Sequence, residues 1–297
     1  MANCYTFVPM LNEYLKTGMV EHDLAIKTQK LYWELSAPLR RFFKGFYVSF
    51  DAEGIPTGKH LNGSAVERYR SWRLNTLNKR GSKPSPVTVQ KELIVAGNAI
   101  KYQIRDKYSD MPNPFEGRTI LKRHQKAIRP RAVVLEREKE KNLLIACGQP
   151  LRDIVLFILE TGLRKGEILT LEWNMIKGDV IDFEPGQHKS GNYAASALSR
   201  EALNILSRQP KCCARVFTKN GQPYTHSMLR KAWERARMQT GLPELHLHDL
   251  RRTCGYRLRE KGFALDAIQA QLRHSDRRTT EKVYAPPGIE LARSLFL

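Results

Sequence analysis

Cysteine is scarce and unpatterned in this sequence: five residues in 297 (Cys4, Cys147, Cys212, Cys213, Cys254), an odd number with no CxxC spacing. That excludes a disulfide framework or a zinc knuckle as the organising device and points to reduced thiols. Long apolar runs are missing too. No stretch reaches the roughly 18 residues a membrane-spanning helix needs, and the N-terminal MANCYTFVPM has no basic segment leading into an apolar one. A cytoplasmic chain without a membrane partner is therefore expected. No P-loop, GxGxxG, HExxH or DxD-type cluster occurs. Neither nucleotide hydrolysis nor metal hydrolysis is indicated, and no cofactor is implied. Acidic residues are in short supply, 30 against 50 Lys+Arg, which leaves a formal charge of +20.

What is present is enough to fold. With 41% hydrophobic and 9% aromatic residues, wholesale disorder is excluded. At about 150 residues per domain the length suggests two domains. Residues 1–130 carry 22 basic and 11 acidic side chains and residues 131–297 carry 28 and 19, so the halves bear +11 and +9. Excess positive charge on both halves predicts a polyanion touched by both. Double-stranded DNA is the obvious candidate, although composition alone equally allows RNA.

The first 117 residues read as a small helical domain. Residues 27–46 place Leu31, Leu35, Leu39, Phe42 and Phe43 near helical spacing, and 66–79 offer Val66, Tyr69, Trp72 and Leu77. After the turn GSKPSP, Ser85 or Thr88 can cap a long helix marked by Val89, Leu93, Ala96, Ile100 and Ile104. MPNPFEG (111–117) stops it. Residues 118–133 form a linker, and RTILKRHQKAIRPR (118–131) has six basic residues and no acidic one. Such a strap can lie along a phosphate backbone, with Lys122, Arg123 and Lys126 as DNA-contacting candidates.

The remaining domain, 134–297, reads as helices at about 135–147, 151–161, 199–208, 225–239, 248–261 and 265–272. A small antiparallel hairpin, Val180 to Phe183 with Tyr193 to Leu198, interrupts them. The expected fold is thus mainly α with a small antiparallel β-sheet in the C-terminal domain.

Three local settings there carry chemistry. In ETGLRKGEILTL (160–171), Gly162 permits a break and Arg164 opens the next helix, with Glu167 three residues on to orient it. In LHLHDLRRTCGYRLREKG (245–262), His248 and Arg251 share a helical face, Asp249 can cap, and Leu250, Cys254 and Leu258 mark the buried side. An imidazole and a guanidinium displayed together suit a phosphodiester. His246 and His248 could also be read as metal ligands, but no Cys or carboxylate cluster completes such a site. In IQAQLRHSDRRTTEKVYA (268–285), His274 follows a short apolar helix and Tyr284 ends the segment, where its hydroxyl could be presented.

In combination, TGLRKGE, HKSGN, HDLRRT, LRHS and Tyr284 resemble, in order, the motifs of the tyrosine recombinase (phage integrase) family, across the whole second half. The first half loosely resembles that family's helical core-binding domain. The resemblance implies a two-domain C-shaped clamp around DNA and a site-specific recombinase, such as the integrase of a phage or mobile element. It also implies strand cleavage through a covalent 3′-phosphotyrosine. Arg164 and Arg251 match the two catalytic arginines, His248 the HxxR histidine, His274 the later histidine, Lys189 the hairpin lysine and Tyr284 the nucleophile. Lys177 and His188 stand near enough in sequence to compete for the lysine's place.

Two departures from the family pattern are visible: Arg273 stands where Gly is usual, and the interval from His274 to Tyr284 is one residue longer than the commonest form. The tail PPGIELARSLFL (286–297) reads as a short apolar helix that must dock, on its own domain or on a neighbouring protomer. The latter would give a homotetramer on two DNA sites, with room for accessory DNA-bending or directionality factors. The first helix begins near the N-terminus, which leaves no room for a separate arm-site domain. A chromosome-dimer resolving recombinase, a type IB topoisomerase and a catalytically idle DNA-binding protein are the competing readings.

Overall fold

The computed structural model describes residues 5–49, 55, 57–78, 81–106, 112–117, 133–185 and 193–284. Two compact units divide the chain, Met1–Arg129 and Pro130–Leu297. The dividing point falls within the basic strap; Lys122, Arg123 and Lys126 lie outside the described residues, as do Lys189, His188 and the tail 286–297.

In the first unit, strand β1 (Tyr5–Thr6) leads into α1 (Phe7–Glu13), which continues through a π-helical turn (Tyr14–Gly18) into α2 (Met19–Glu21). Helix α3 (Ile26–Phe42), β2 (Tyr47–Val48), α4 (Gly63–Asn75) and α5 (Pro86–Asp106) follow, and β1 pairs antiparallel with β2. The Asn62 side chain accepts from the Ala65 N–H at 3.0 Å to cap α4. Ser85 Oγ accepts from the Thr88 N–H at 3.1 Å, and Pro86 takes the first helical position, where a missing N–H costs nothing. The core is aromatic: Phe43 stacks on Tyr69 at 5.1 Å and meets Phe7 edge-on at 5.3 Å. Inside it Tyr69 donates to Glu92 at 2.6 Å, and Arg73 pairs with the same carboxylate at 3.0 Å.

Two residues expected on apolar faces are not buried there. Leu31 is 41% exposed, and Leu77 lies past the end of α4 and is 59% exposed. On α3 the buried stripe is narrower than the apolar spacing suggests, and Leu35 and Leu39 fill it; Leu77 is exposed because the helix has already ended.

In the second unit the helices are α6 (Arg137–Ala146), α7 (Leu151–Thr161) and α8 (Lys165–Thr170). A three-stranded antiparallel sheet follows, β3 (Ile176–Lys177), β4 (Val180–Phe183) and β5 (Ala194–Ala197), with Phe183 opposite Ala194. Next come α9 (Arg200–Ser207), a hairpin of β6 (Thr218–Lys219) and β7 (Gln222–Pro223), then α10 (His226–Gln239), α11 (Leu247–Glu260), α12 (Leu265–Leu272) and α13 (Arg277–Tyr284). Ser199 and Thr225 cap α9 and α10 through their hydroxyls. The β6–β7 turn runs through Asn220 and Gly221, both at positive φ (52° and 75°), the signature of a two-residue hairpin turn. Helix α11 packs on α7, α12 and α13, and so brings the ends of those helices together. The unit's core centres on Ile154, Phe157, Ile158, Ile168, Phe217 and Leu250, all at most 1% exposed.

Among the described residues no helix is long and apolar enough to cross a membrane, and no group of three metal-ligating side chains assembles.

Candidate active site

The apolar run of α7 ends where Gly162 turns the chain with φ +66°. A side chain is excluded there on two grounds: the left-handed backbone, and a Cβ that would collide with Leu272 Cδ2. The turn aims the Gly162 carbonyl inward and places Arg164 as the residue that starts α8. Glu167, one turn on, accepts from the Arg164 backbone N–H (2.8 Å) and from its Nη1 (2.7 Å). The remaining Nη2 donates to the Arg273 carbonyl at 3.1 Å. Arg164 keeps 26% of its side chain exposed, so its fork is fixed on one side and open on the other.

Arg251, on α11, is a cation in the core, 2% exposed. Nη1 donates to the Gly162 carbonyl at 2.6 Å, and Nη2 donates to the Leu272 carbonyl. These acceptors are the carbonyls left over at the C-terminal ends of α7 and α12, where backbone dipoles favour a positive charge. Two successive carbonyls at the end of α12, Leu272 and Arg273, thus receive one guanidinium each. Burial first, then Arg164 and Arg273, push the Arg251 pKa down to about 9, so it remains a cation at neutral pH.

Arg273 caps α12 in a left-handed conformation, φ 53° and ψ 49°. For a residue with a Cβ that conformation costs about 1–2 kcal/mol. Its side chain, 2% exposed, folds back so that Nη2 meets Glu167 Oε2 at 2.9 Å and Nη1 the Gln271 carbonyl at 2.8 Å, with the guanidinium 5.1 Å from the Phe183 ring centre. Its Nε is buried without a partner among the described residues. Burial alone would raise the Glu167 carboxyl; Arg273 and Arg164 together hold it below the usual carboxylate range.

His274 follows directly. Its Nδ1 lies 2.9 Å from Thr280 Oγ1, which sets the ring's orientation. Partial burial, then Arg251 and Arg164, lower its pKa to about 4, so the imidazole is neutral at pH 7. His248, in the first turn of α11, is lowered in the same direction by desolvation, Arg251 and Arg252. That turn is fastened by Asp249, whose carboxylate accepts from the His246 N–H at 2.8 Å and pairs with Arg252 at 3.2 Å.

Tyr284 ends α13 as expected, with most of its side chain buried, at 6% exposure. It lies against Gly255 of α11, where a Cβ would stand 2.6 Å from Tyr284 Cζ and 2.8 Å from Cε1 and from Leu272 Cδ1. Its ring is nearly parallel to that of His274, 8° apart with centroids at 6.5 Å. Burial raises its pKa to about 12, with Arg251 and Arg252 as the opposing influences.

The structure therefore gathers Arg164, His248, Arg251, His274 and Tyr284 around one junction, the end of α12 against α11. Lys189 lies outside the described residues. Sequence reasoning missed Gly255, Thr280 and the part played by Arg273. Only for Arg273 was there a signal, as an Arg in a position patterned for Gly. Two guanidinia fixed on main-chain carbonyls and a carboxylate, beside two imidazoles with lowered pKa values and a tyrosine, are groups of the chemistry that suits an anionic diester.

The profile of the phage integrase family matches residues 134–287. The chain is 29% identical over 150 residues to the integrase of Salmonella phage P22, covering 46% of this chain and 39% of that protein. It is 30% identical over 211 residues to a shufflon-specific DNA recombinase of Escherichia coli, covering 66% of this chain and 50% of the other. The chain thus spans half or less of the length of these relatives. Among solved structures, a lambda integrase tetramer bound to a Holliday junction matches with TM-score 0.70 and 18% identity, over 95% of this chain and 78% of that one. The Tn1549 transposon integrase in complex with circular intermediate DNA matches with TM-score 0.67 and 19% identity, over 99% of both chains. At these identities the structural likeness establishes the fold.

Proposed function

The chain belongs to the phage integrase family, and from that premise we propose that it is a tyrosine-type site-specific recombinase that cuts and rejoins double-stranded DNA. The observation that carries the reading is the junction itself. Arg164 and Arg251 are both fastened to the terminal carbonyls of α12, and Tyr284 packs against the helix that carries Arg251.

The chemistry follows from the residue types. A phosphodiester resists attack because it is anionic and its alkoxide leaves poorly. In-line attack by the Tyr284 oxygen forms an O–P bond and breaks the bond to the 5′ oxygen, through a transition state with more charge on the equatorial oxygens. Guanidinia already held in place interact more strongly with that state than with the ground state, which is the condition for catalysis. Each such donor contributes on the order of 3–4 kcal/mol, judged by oxyanion donors elsewhere. The two neutral imidazoles, His248 and His274, serve as hydrogen-bond partners of the phosphate and as acceptors for the phenol's proton. Lys189 is assigned as the acid that protonates the departing 5′ oxygen. The product, a 3′-phosphotyrosine, conserves the bond energy, and a different 5′ hydroxyl reverses the step to exchange strands.

We further assign the basic residues Lys122, Arg123 and Lys126 to the DNA backbone. The reaction proposed is integration or excision of a mobile element by four protomers on two sites, in the cytoplasm at the nucleoid. The relatives, an integrase and a site-specific recombinase, support this class of reaction.

The test is trapping of a covalent adduct. Wild-type protein and Tyr284→Phe are incubated in EDTA with nicked duplexes of randomised core sequence, and denaturation-resistant protein–DNA complexes are scored. Wild type should capture a subset of sequences and the variant none. Capture of none by wild type, or equal capture by both, refutes the proposal.

A further inference from the structure

We propose that Arg273 is a positioning residue that holds the Arg164 guanidinium in its working orientation, through the shared carboxylate of Glu167 and through its own main-chain carbonyl. The inference rests on the recombinase reading and adds to it a residue for which the family pattern has glycine.

Three contacts carry it. Arg164 Nη2 donates to the Arg273 carbonyl at 3.1 Å, so the backbone of residue 273 fixes one arm of the fork. Arg164 Nη1 binds Glu167 Oε1 at 2.7 Å, while Arg273 Nη2 binds Glu167 Oε2 at 2.9 Å, so the carboxylate that fixes the other arm is itself clamped from behind. The Phe183 ring, 5.1 Å from the Arg273 guanidinium, closes that side. Glu167 and Arg273 are 5% and 8% exposed, and the one partly exposed member of the trio is Arg164.

As a device for stability alone, Arg273 is a poor choice. Its backbone sits at φ 53°, which glycine adopts without cost, and its Nε is buried with no partner among the described residues. A buried ion pair rarely outperforms well-packed apolar side chains. Strain and an unmet donor beside a reacting centre are where a functional constraint is expected. Without Arg273, Glu167 Oε2 keeps only the Arg164 backbone N–H, and the carboxylate, less firmly held, lets the Arg164 fork shift with it. A misplacement of about 1 Å costs on the order of 10²-fold in rate.

The experiment uses the full chain and a duplex captured by the adduct selection above. For Arg273→Gly the single-turnover rate of adduct formation at saturating DNA should fall on the order of 10²-fold, while DNA affinity stays within about threefold. Arg273→Lys, which keeps a cation against Glu167, should recover the rate to within about tenfold of wild type, and Arg273→Met should not. Should the glycine variant fail to fold, the Lys and Met pair decides the matter: equal rates in these two overturn the assignment. It is also overturned by an Arg273→Gly rate within threefold of wild type, or by a rate loss matched by an equal loss of DNA affinity. If wild type forms no adduct at all, the recombinase reading fails first; if wild type reacts and the variants react equally well, only the role of Arg273 falls.

Discussion

Replacing Gly255 by alanine adds one methyl group at the place where the Tyr284 ring rests. The new carbon would stand 2.6 Å from Tyr284 Cζ and 2.8 Å from Leu272 Cδ1, against roughly 3.5–4 Å for an ordinary carbon contact. The ring must therefore retreat by about 1 Å. Alanine inside a helix gains about 1 kcal/mol over glycine, and overpacking a tight core costs about 1–3 kcal/mol. The net is a loss of about 0–2 kcal/mol, or a few degrees in melting temperature for a unit of this size. Chemistry should suffer far more, because in the proposed reaction Cζ carries the attacking oxygen: displacement by about 1 Å lowers the rate on the order of 10²-fold. Stopped-time adduct assays on a nicked duplex measure that rate. Carbon-13 titration of labelled tyrosine then reports whether the displaced phenol has moved from about 12 back toward its ordinary value near 10. A Gly255→Ala protein that reacts within threefold of wild type, with its phenol still titrating near 12, would refute the packing argument.

Two further outcomes are expected. His274 titrates near 6.5 in the unfolded chain and near 4 in the fold, so the unfolded state binds more protons between those values. Its contribution is complete above about pH 6.5 and lost as the pH falls toward 4, by about 2 kcal/mol after allowance for solvent access. Denaturant midpoints followed against pH should show this slope in wild type and a shallower one in His274→Gln; identical slopes would contradict it. In the first unit, Arg73→Ala leaves the 1%-exposed Glu92 with Tyr69 as its remaining partner, which should cost about 3 kcal/mol at pH 8. The loss should be smaller at pH 5, because burial already raises the Glu92 carboxyl and a protonated acid escapes the cost of a buried charge. Urea unfolding followed by tryptophan fluorescence measures both, and a loss below 1 kcal/mol at pH 8 would count against the network.

Much of the second unit was legible because its signals are local. The apolar run Leu151–Thr161 became α7 with those same bounds, and Ser199 and Thr225 cap helices within one residue of where the sequence places them. The β4–β5 hairpin follows from alternation and a glycine-containing turn. Other elements carry too little local signal. Strands β1, β2 and β3 span two residues each, shorter than any alternation can register, and the π-helical turn at Tyr14–Gly18 has no period of its own. The β6–β7 hairpin was signalled by Asn220-Gly221 and passed over.

At the site, residue identities were legible but burial was not. Arginine reads as a surface residue, and nothing in HDLRRT reveals that Arg251 is 2% exposed, because its acceptors are carbonyls 89 and 21 positions away. The burial of Tyr284 left no signal because the glycine it packs against lies in another helix, where a mid-helix Gly signals only weakness. Leu31 misled for the opposite reason: helical spacing shows which residues share a face, not how wide a face the neighbours cover.

The two guanidinia differ in what a single base change can take from them. Arg164 leans on a carboxylate side chain, so its support is vulnerable to a codon change at position 167 and to protonation. Arg251 is seated on oxygens that belong to the peptide bonds of Gly162 and Leu272, which no replacement of a side chain deletes and no ordinary acidity titrates. A random-mutagenesis screen for inactive protein should therefore strike position 167 through its acceptor atoms, and positions 162 and 272 only through substitutions that shove the helix ends apart.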